Sequence, residues 1–268
     1  MKLAAIQMVS TTCVEANLAA AHQLLGEAAA QGAERAVLPE NFCIMGLKDT
    51  DKLALREPFG DGPIQDFLSR TAKELGLWVV GGTLPLASSD PGRARNSSLA
   101  FAPSGACVAR YDKMHLFRFT DGREAYDETR VLQPGTGPVC FELASRDGHV
   151  YKVGLSVCYD LRFPELYRAL GADLLLVPSA FTTTTGQAHW EILLRARAIE
   201  NQAFVVAAAQ GGVHESGRRT WGHSMVIDAW GQILGQRQEG AGLVLAEVSH
   251  ESLHATRGRL PALEHRML

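Results

Sequence analysis

Cys158 closes an apolar run, Tyr151-Lys152-Val153-Gly154-Leu155-Ser156-Val157, and Tyr159-Asp160-Leu161-Arg162-Phe163-Pro164-Glu165 follows at once. A strand that stops at a cysteine and turns into a helix presents its thiol at the rim of a sheet, beside freshly exposed backbone N–H groups. Leu38-Pro39-Glu40-Asn41 sets a carboxylate just after a second strand-like run, and Tyr111-Asp112-Lys113-Met114-His115 sets an ammonium just after a third. These three groups suffice to hydrolyse an amide through a thioester. An ordinary thiol is mostly protonated at neutral pH and must lose its proton to attack well. Glu40, partly desolvated beside Cys158, would take that proton. Lys113 and the Tyr159 N–H would hold the oxyanion. Glu40 would then protonate the leaving amine and activate the water that cleaves the thioester.

Such groups meet only if a sheet carries them. Strand-like runs fall at 2–9, 35–38, 77–83, 97–102, 106–111, 139–143, 150–157, 173–178, 203–209, 223–228, 232–236 and 242–248. Helical spacing of apolar residues marks 14–31, 62–75, 164–170 and 187–201 between them. The mixture predicts an α/β fold with helices layered over sheet. Residues 98–109 and 224–235 share one plan, an apolar strand, a turn with Gly, and a second strand. They read as two hairpins in corresponding places of two similar halves, which implies two sheets packed face to face. No linker composition interrupts the chain, so residues 1–268 read as a single domain. The stretch 114–138 lacks periodicity and reads as a long loop.

The 268 residues can bury a substantial core. A formal net charge of −3 with no basic block argues against nucleic acid or an anionic membrane as a general partner. No segment approaches the roughly 18 apolar residues of a membrane span. Five cysteines without C-x-x-C spacing, and no signal-like leader, point to free thiols in the cytoplasm. Cys107 and Cys140 lie in apolar strands and read as core filler, Cys13 is incidental, and Cys43 is near enough to Glu40 in sequence to approach the site.

Competing chemistries are weaker. His115, His189 and His223 lie near element ends and offer a cysteine–histidine pair, but each reads more simply as structural or substrate-facing. His250 and His254 have i, i+4 spacing with no third ligand in view, so no metal is expected. Gly81-Gly82 and Gly211-Gly212 lack phosphate-loop spacing. The reaction calls for no cofactor.

Taken together, Leu38-Pro39-Glu40, Tyr111 to Phe117, Gly154 to Glu165, Pro178-Ser179-Ala180-Phe181, His189-Trp190-Glu191, Arg195 to Asn201 and Trp221 to Met225 resemble, in order, the nitrilase superfamily of carbon–nitrogen hydrolases. The resemblance implies a four-layer α-β-β-α sandwich of two mixed sheets, usually a homodimer or higher homo-oligomer. It also implies a second glutamate, Glu128, that orients Lys113 or the substrate and raises the charge density around Glu40. The apolar positions of 187–201 offer one face for self-association.

The stretch Leu193 to Gln210 and Gly222 to Asp228 are similar to the branch that hydrolyses deaminated glutathione to 2-oxoglutarate and Cys-Gly. The related ω-amidase branch cleaves α-ketoglutaramate to 2-oxoglutarate and ammonia. Either substrate is a small amide carrying a carboxylate. The candidates to bind it are Arg162, one helical turn past the nucleophile, with Phe181, Thr182 and His189. Thr182 to Thr185 are expected in a loop after the strand 173–178, where they offer hydroxyl donors for the carboxylate. Arg118, Arg123 and Arg130 read as solvated or ion-paired. Arg195 pairs with Glu191, and Arg197 with Glu200, as i, i+4 and i, i+3 neighbours. Two readings of other classes remain: a nitrilase acting on nitriles, and a non-catalytic binding or scaffold protein on the same fold. The intact Glu40, Lys113 and Cys158 argue against the latter.

Overall fold

The computed structural model describes residues 1–122 and 125–267, so Arg123 lies outside the described residues. Alternation along Lys2–Gln7 builds the first sheet. Leu3 and Ala5 enter one apolar cluster, and Ala4 and Ile6 enter another. Side chains of period two therefore bury both faces of this strand. Arg35–Val37 and Trp78–Val80 continue parallel to it, with Gly242–Glu247 antiparallel at its other side. Ala94–Phe101 then pairs antiparallel with Trp78–Val80, Leu84–Ala87 and Cys107–Asp112.

The second sheet repeats this plan. Val139–Ala144 lies antiparallel to Val150–Leu155, which runs parallel to Leu174–Leu176 and through it to Phe204–Ala207. Ser224–Ile227 and Ile233–Arg237 complete it, both antiparallel. Each sheet thus reads antiparallel, parallel, parallel, antiparallel, antiparallel from one side. The two hairpins singled out above occupy matching places. Each has a register irregularity at its matching residue, Ala100/Phe101 in one and Val226/Ile227 in the other.

Helices complete four layers. Val14–Ala30 and Pro63–Leu75 press Ala21, Leu25, Leu68 and Ala72 onto Ala4, Ile6, Ala36 and Val79 of the first sheet. Pro164–Leu170 and Thr183–Asn201 bring Tyr167, Trp190, Leu194 and Ala198 to the second. Burial of each such large apolar side chain stabilises by about 1.5–3 kcal/mol. No helix among the described residues is long and apolar enough to cross a membrane.

Several local expectations need correction. The run 77–83 ends as a strand at Val80, because Gly81 and Gly82 turn the chain into a separate strand, Leu84–Ala87. Of Thr182 to Thr185, only Thr182 precedes the helix. Its hydroxyl accepts from the Thr185 N–H at 3.3 Å, an N-cap that starts the helix at Thr183 despite the β-branched run. The aperiodic stretch contains a short hairpin, Arg118–Thr120 with Ala125–Asp127, and a 3₁₀ turn, Glu128–Arg130. The polar segment His250–Arg259 is also a helix; Ser249 caps it by accepting from the Ser252 N–H, and Leu253 is its one buried residue, so no apolar stripe marks it in the sequence. Cys107 is exposed and Cys140 half-buried, so neither fills the core; both lie toward the edges of their sheets, where alternate side chains face outward.

Two glycines let backbones close on the strand ends that carry Glu40 and Lys113. A Cβ on Gly82, whose φ is +49°, would overlap the Pro39 carbonyl, and one on Gly135 would overlap the Asp112 carbonyl. Gly82→Ala and Gly135→Ala should each cost about 1–3 kcal/mol in chemical denaturation, because backbone cannot rotate away as a side chain can. Gly137→Ala meets nothing within 4 Å and should stay within about 1 kcal/mol of the parent. Equal stability of all three variants would contradict this packing.

Candidate active site

The strand Val150–Leu155 ends three residues before Cys158, which begins the 3₁₀ turn Cys158–Arg162. Cys158 is held at φ +51°, a left-handed conformation costly for a residue with a Cβ. Its N–H donates to the Pro178 carbonyl at 2.9 Å. Asp160 braces the bend from behind. Its fully buried carboxylate accepts from the Val157 N–H at 2.8 Å, the Tyr111 hydroxyl at 2.7 Å and the His115 N–H at 3.0 Å. One carboxylate thereby ties the nucleophile's turn to the segment that carries Lys113. The first N–H groups of such a turn have no acceptor within it, which leaves the Tyr159 N–H beside the thiol.

Glu40 follows Arg35–Val37 of the other sheet and is 2% exposed. Its Oε1 accepts from Lys113 Nζ at 2.8 Å and Asn96 Nδ2 at 2.9 Å, and its Oε2 accepts from the Ala180 N–H at 2.9 Å. Gln210 Nε2 donates to the Glu40 carbonyl at 3.1 Å and so positions the backbone. Lys113, 1% exposed, also donates to Glu128 Oε1 at 3.0 Å and has the other oxygen of that carboxylate at 2.9 Å. Glu128 is oriented in turn by the Phe117 N–H, at 2.7 Å from its Oε2.

The charges settle one another. Burial alone would push the Glu40 carboxyl up, but the Lys113 ammonium and its hydrogen bond hold it below the usual carboxylate range. Burial works against the Lys113 charge, yet Glu128 and Glu40 raise its pKa well above the ordinary lysine value. Burial, then the Glu40 charge, push the Cys158 thiol well above the ordinary cysteine value, against the pull of Lys113. The resting state is a neutral thiol facing an ionised carboxylate and an ammonium.

A narrow hollow of about 280 Å³ opens above these groups. Of the residues picked out by sequence, Glu40, Glu128, Cys158, Tyr159, Arg162, Phe181 and Thr182 line it. His189 does not. It is exposed and touches Arg162 Nη1 through Nδ1 at 3.2 Å, because the helix from Thr183 turns it outward. Phe117, Thr185 and Arg218 also line the hollow: Phe117 closes the Tyr111 to Phe117 motif and Thr185 ends the threonine run, whereas Arg218 had no signal in the sequence. Arg218 donates to the Ala180 carbonyl at 3.1 Å and lies over the Tyr126 ring at 5.1 Å.

Other candidates fall elsewhere. His115 Nδ1 faces Asp160 at 2.7 Å and its ring stacks on Phe163, while His223 stacks on Trp221. Neither lines the hollow. Cys43 is buried away from it, its thiol pushed up to about 12 by burial. Arg195 and Arg197 pair with Glu191 and Glu200 at 3.5 and 2.8 Å. Arg197 also donates to the Leu161 carbonyl. His250 and His254 approach Nε2 to Nε2 at 2.9 Å, with His149 stacked on His250.

The chain's relatives fit this geometry. A model of the carbon-nitrogen hydrolase family matches residues 2–258. A deaminated glutathione amidase from Synechocystis is 40% identical over 270 residues, covering 98% of this chain and 97% of that protein. A human deaminated glutathione amidase is 39% identical over 279 residues, with 98% and 81% covered. The crystal structure of the C. elegans NitFhit protein superposes with a TM-score of 0.89 at 36% identity. That match covers 99% of this chain and 65% of the other, so this chain spans about two thirds of the fusion protein's length. The chain belongs to the carbon-nitrogen hydrolase family.

Proposed function

We propose that the protein is an amidase that hydrolyses deaminated glutathione to 2-oxoglutarate and Cys-Gly through a thioester on Cys158. One observation carries this reading: a thiol, a carboxylate and an ammonium are buried together, with a second, half-buried carboxylate beside them, at a hollow whose walls add two guanidinium groups. With the thiol neutral, Glu40, Glu128, Lys113, Arg162 and Arg218 sum to one positive charge. Such a site favours a substrate that brings a carboxylate. Its relatives' activity supports the acyl group chosen here.

In this mechanism the Cys158 sulfur attacks the amide carbon while its proton passes to Glu40. The negative oxygen is held by the Tyr159 N–H and by Lys113, whose third hydrogen is left over from its two carboxylate partners. Collapse breaks the C–N bond as Glu40 gives its proton to the departing nitrogen. Water then gives a proton to Glu40 and attacks the thioester. The C–S bond breaks and the proton returns to sulfur. Glu128 keeps Lys113 in place and charged throughout. Arg162 and Thr182, with Phe181 as an apolar wall, receive the keto-acid end.

The same acyl end occurs in α-ketoglutaramate, so ω-amidase activity is the nearest competing reading. We read residues 1–268 as one functional unit, because Glu40 and Cys158 come from different sheets. We also assign self-association to the helix Thr183–Asn201. Ile192 and Ile199 are 70% and 50% exposed on one face of it, two turns apart, and Trp230 nearby in the chain's fold is 52% exposed. The partner is a second copy related by a two-fold axis. Ile192→Asp with Ile199→Asp should convert a dimer to a monomer in light scattering; an unchanged mass would overturn this interface.

Cys158→Ala should abolish turnover while circular dichroism stays native. Glu40→Gln should lower kcat about 10²–10⁴-fold, as removal of a general base does. A panel of deaminated glutathione, α-ketoglutaramate, glutamine and a simple nitrile, ranked by kcat/KM, tests the substrate. Preference for a plain amide or a nitrile would sink the assignment.

The pH profile follows from the charge states. Glu40 is ionised down through the ordinary glutamate value of 4.5, and the thiol keeps its proton above the ordinary cysteine value of 9.0. The profile of kcat/KM should therefore be flat between those limits, with its acid limb below the lower one. A limb near pH 6.5 would instead indicate a histidine acting as base.

A further inference from the structure

A second, wider cavity adjoins the hollow, with about 1050 Å³ of empty space including its open mouth. Asn41, Met45, Lys48, Lys52, Tyr126 and Arg218 are among its walls. Two connections tie it to the reacting groups. Arg218 lines both spaces, and Asn41 follows Glu40 directly. Glu40 is the group that protonates the departing nitrogen, so that nitrogen must lie within hydrogen-bonding reach of its carboxylate. The Ala180 peptide links the two walls, its N–H donating to Glu40 and its carbonyl accepting from Arg218. The amine half of a substrate thus leaves along the Arg218 wall, into the wide cavity.

The chemistry of that cavity selects its occupant. Lys48, Lys52 and Arg218 supply three positive charges against the single carboxylate of Asp49. The Arg218 Nε is buried and has no hydrogen-bond partner among the described residues. The Lys48 segment is held in shape by its own N–H, which donates to Asp51 at 3.0 Å.

We infer that this cavity is the subsite for the amine half of the substrate, built for a dipeptide-like amine ending in a free carboxylate that Lys48 and Lys52 bind. The inference rests on the amidase reading above and extends it. It explains how one acyl pocket can favour an N-substituted amide over a primary amide with the same acyl group, whose leaving ammonia never reaches the lysines.

The test uses the full-length protein with Lys48→Ala and Lys52→Ala combined. The ratio of kcat/KM on deaminated glutathione to that on α-ketoglutaramate should fall about tenfold, through KM, the scale set by two partly exposed charge pairs. Calorimetric titration of cysteinylglycine into the Cys158→Ala protein should weaken likewise with the lysines replaced, whereas its C-terminal amide should bind equally poorly to both. An unchanged ratio with lysine-independent dipeptide binding would overturn the subsite while leaving the substrate assignment standing. Equal losses on both substrates would overturn it as well. Lysine-dependent dipeptide binding in a protein that fails to hydrolyse deaminated glutathione would uphold the subsite and remove the substrate assignment.

Discussion

A lysine ammonium buried almost completely between two carboxylates sets the terms for this protein. Stripping a cation of water costs several kcal/mol, and only close, well-directed anions offset that loss. Lys113 meets Glu40 at 2.8 Å and Glu128 at 2.9 Å, and both carboxylates are themselves anchored by backbone N–H groups. The arrangement leaves two negative charges around one positive. Burial, with the Glu40 charge, keeps the neighbouring thiol protonated at rest, and the Lys113 ammonium leaves Glu40 ionised and ready to receive its proton. Removing any one partner strands a buried charge, so catalytic poise and local stability rest on the same three side chains.

Glu40 and Lys113 follow strands of one sheet and Cys158 a strand of the other, and the rest of the structure brings them together. Glu40 ends a strand of the first sheet and Cys158 follows one of the second, so sheet-on-sheet packing sets the distance between them. Asp160 and Gln210 fine-tune it. The former joins the Cys158 turn to the Tyr111–His115 segment, and the latter fastens the Glu40 backbone to the far half of the chain. Gly82 and Gly135 remove the Cβ atoms that would hold those backbones apart. Each is a packing device whose failure would appear first as a misplaced reacting group.

The charge pattern carries over to the surroundings. Arg162 and Arg218 give the hollow its net attraction for an acid, and Lys48 and Lys52 extend the positive field outward. A chain of net charge −3 concentrates positive potential where an anionic amide would enter.

Strand ends were legible in the sequence because apolar runs of period two, or continuous in a doubly covered sheet, stop abruptly at Glu40, Lys113 and Cys158. The two hairpins of matching plan were legible for the same reason, whereas the register break each contains appeared only in the structure. Glu128 was not readable from spacing and came only from resemblance, because its run is short and polar. Asp160, Arg218 and Gln210 gave no signal, since a lone polar residue looks the same in sequence whether it is solvated or buried against a partner 49 or 170 positions away. His189 precedes Trp190 on the helix whose buried stripe is Trp190, Leu194 and Ala198, so its ring faces outward and meets the site only through Arg162 at 3.2 Å. Local propensity and pattern thus determined which groups the chain offers and where its strands deliver them. Which of them meet, in what protonation state, and beside which second cavity was decided only by the packing of two sheets, because burial and partnership are properties of tertiary contact.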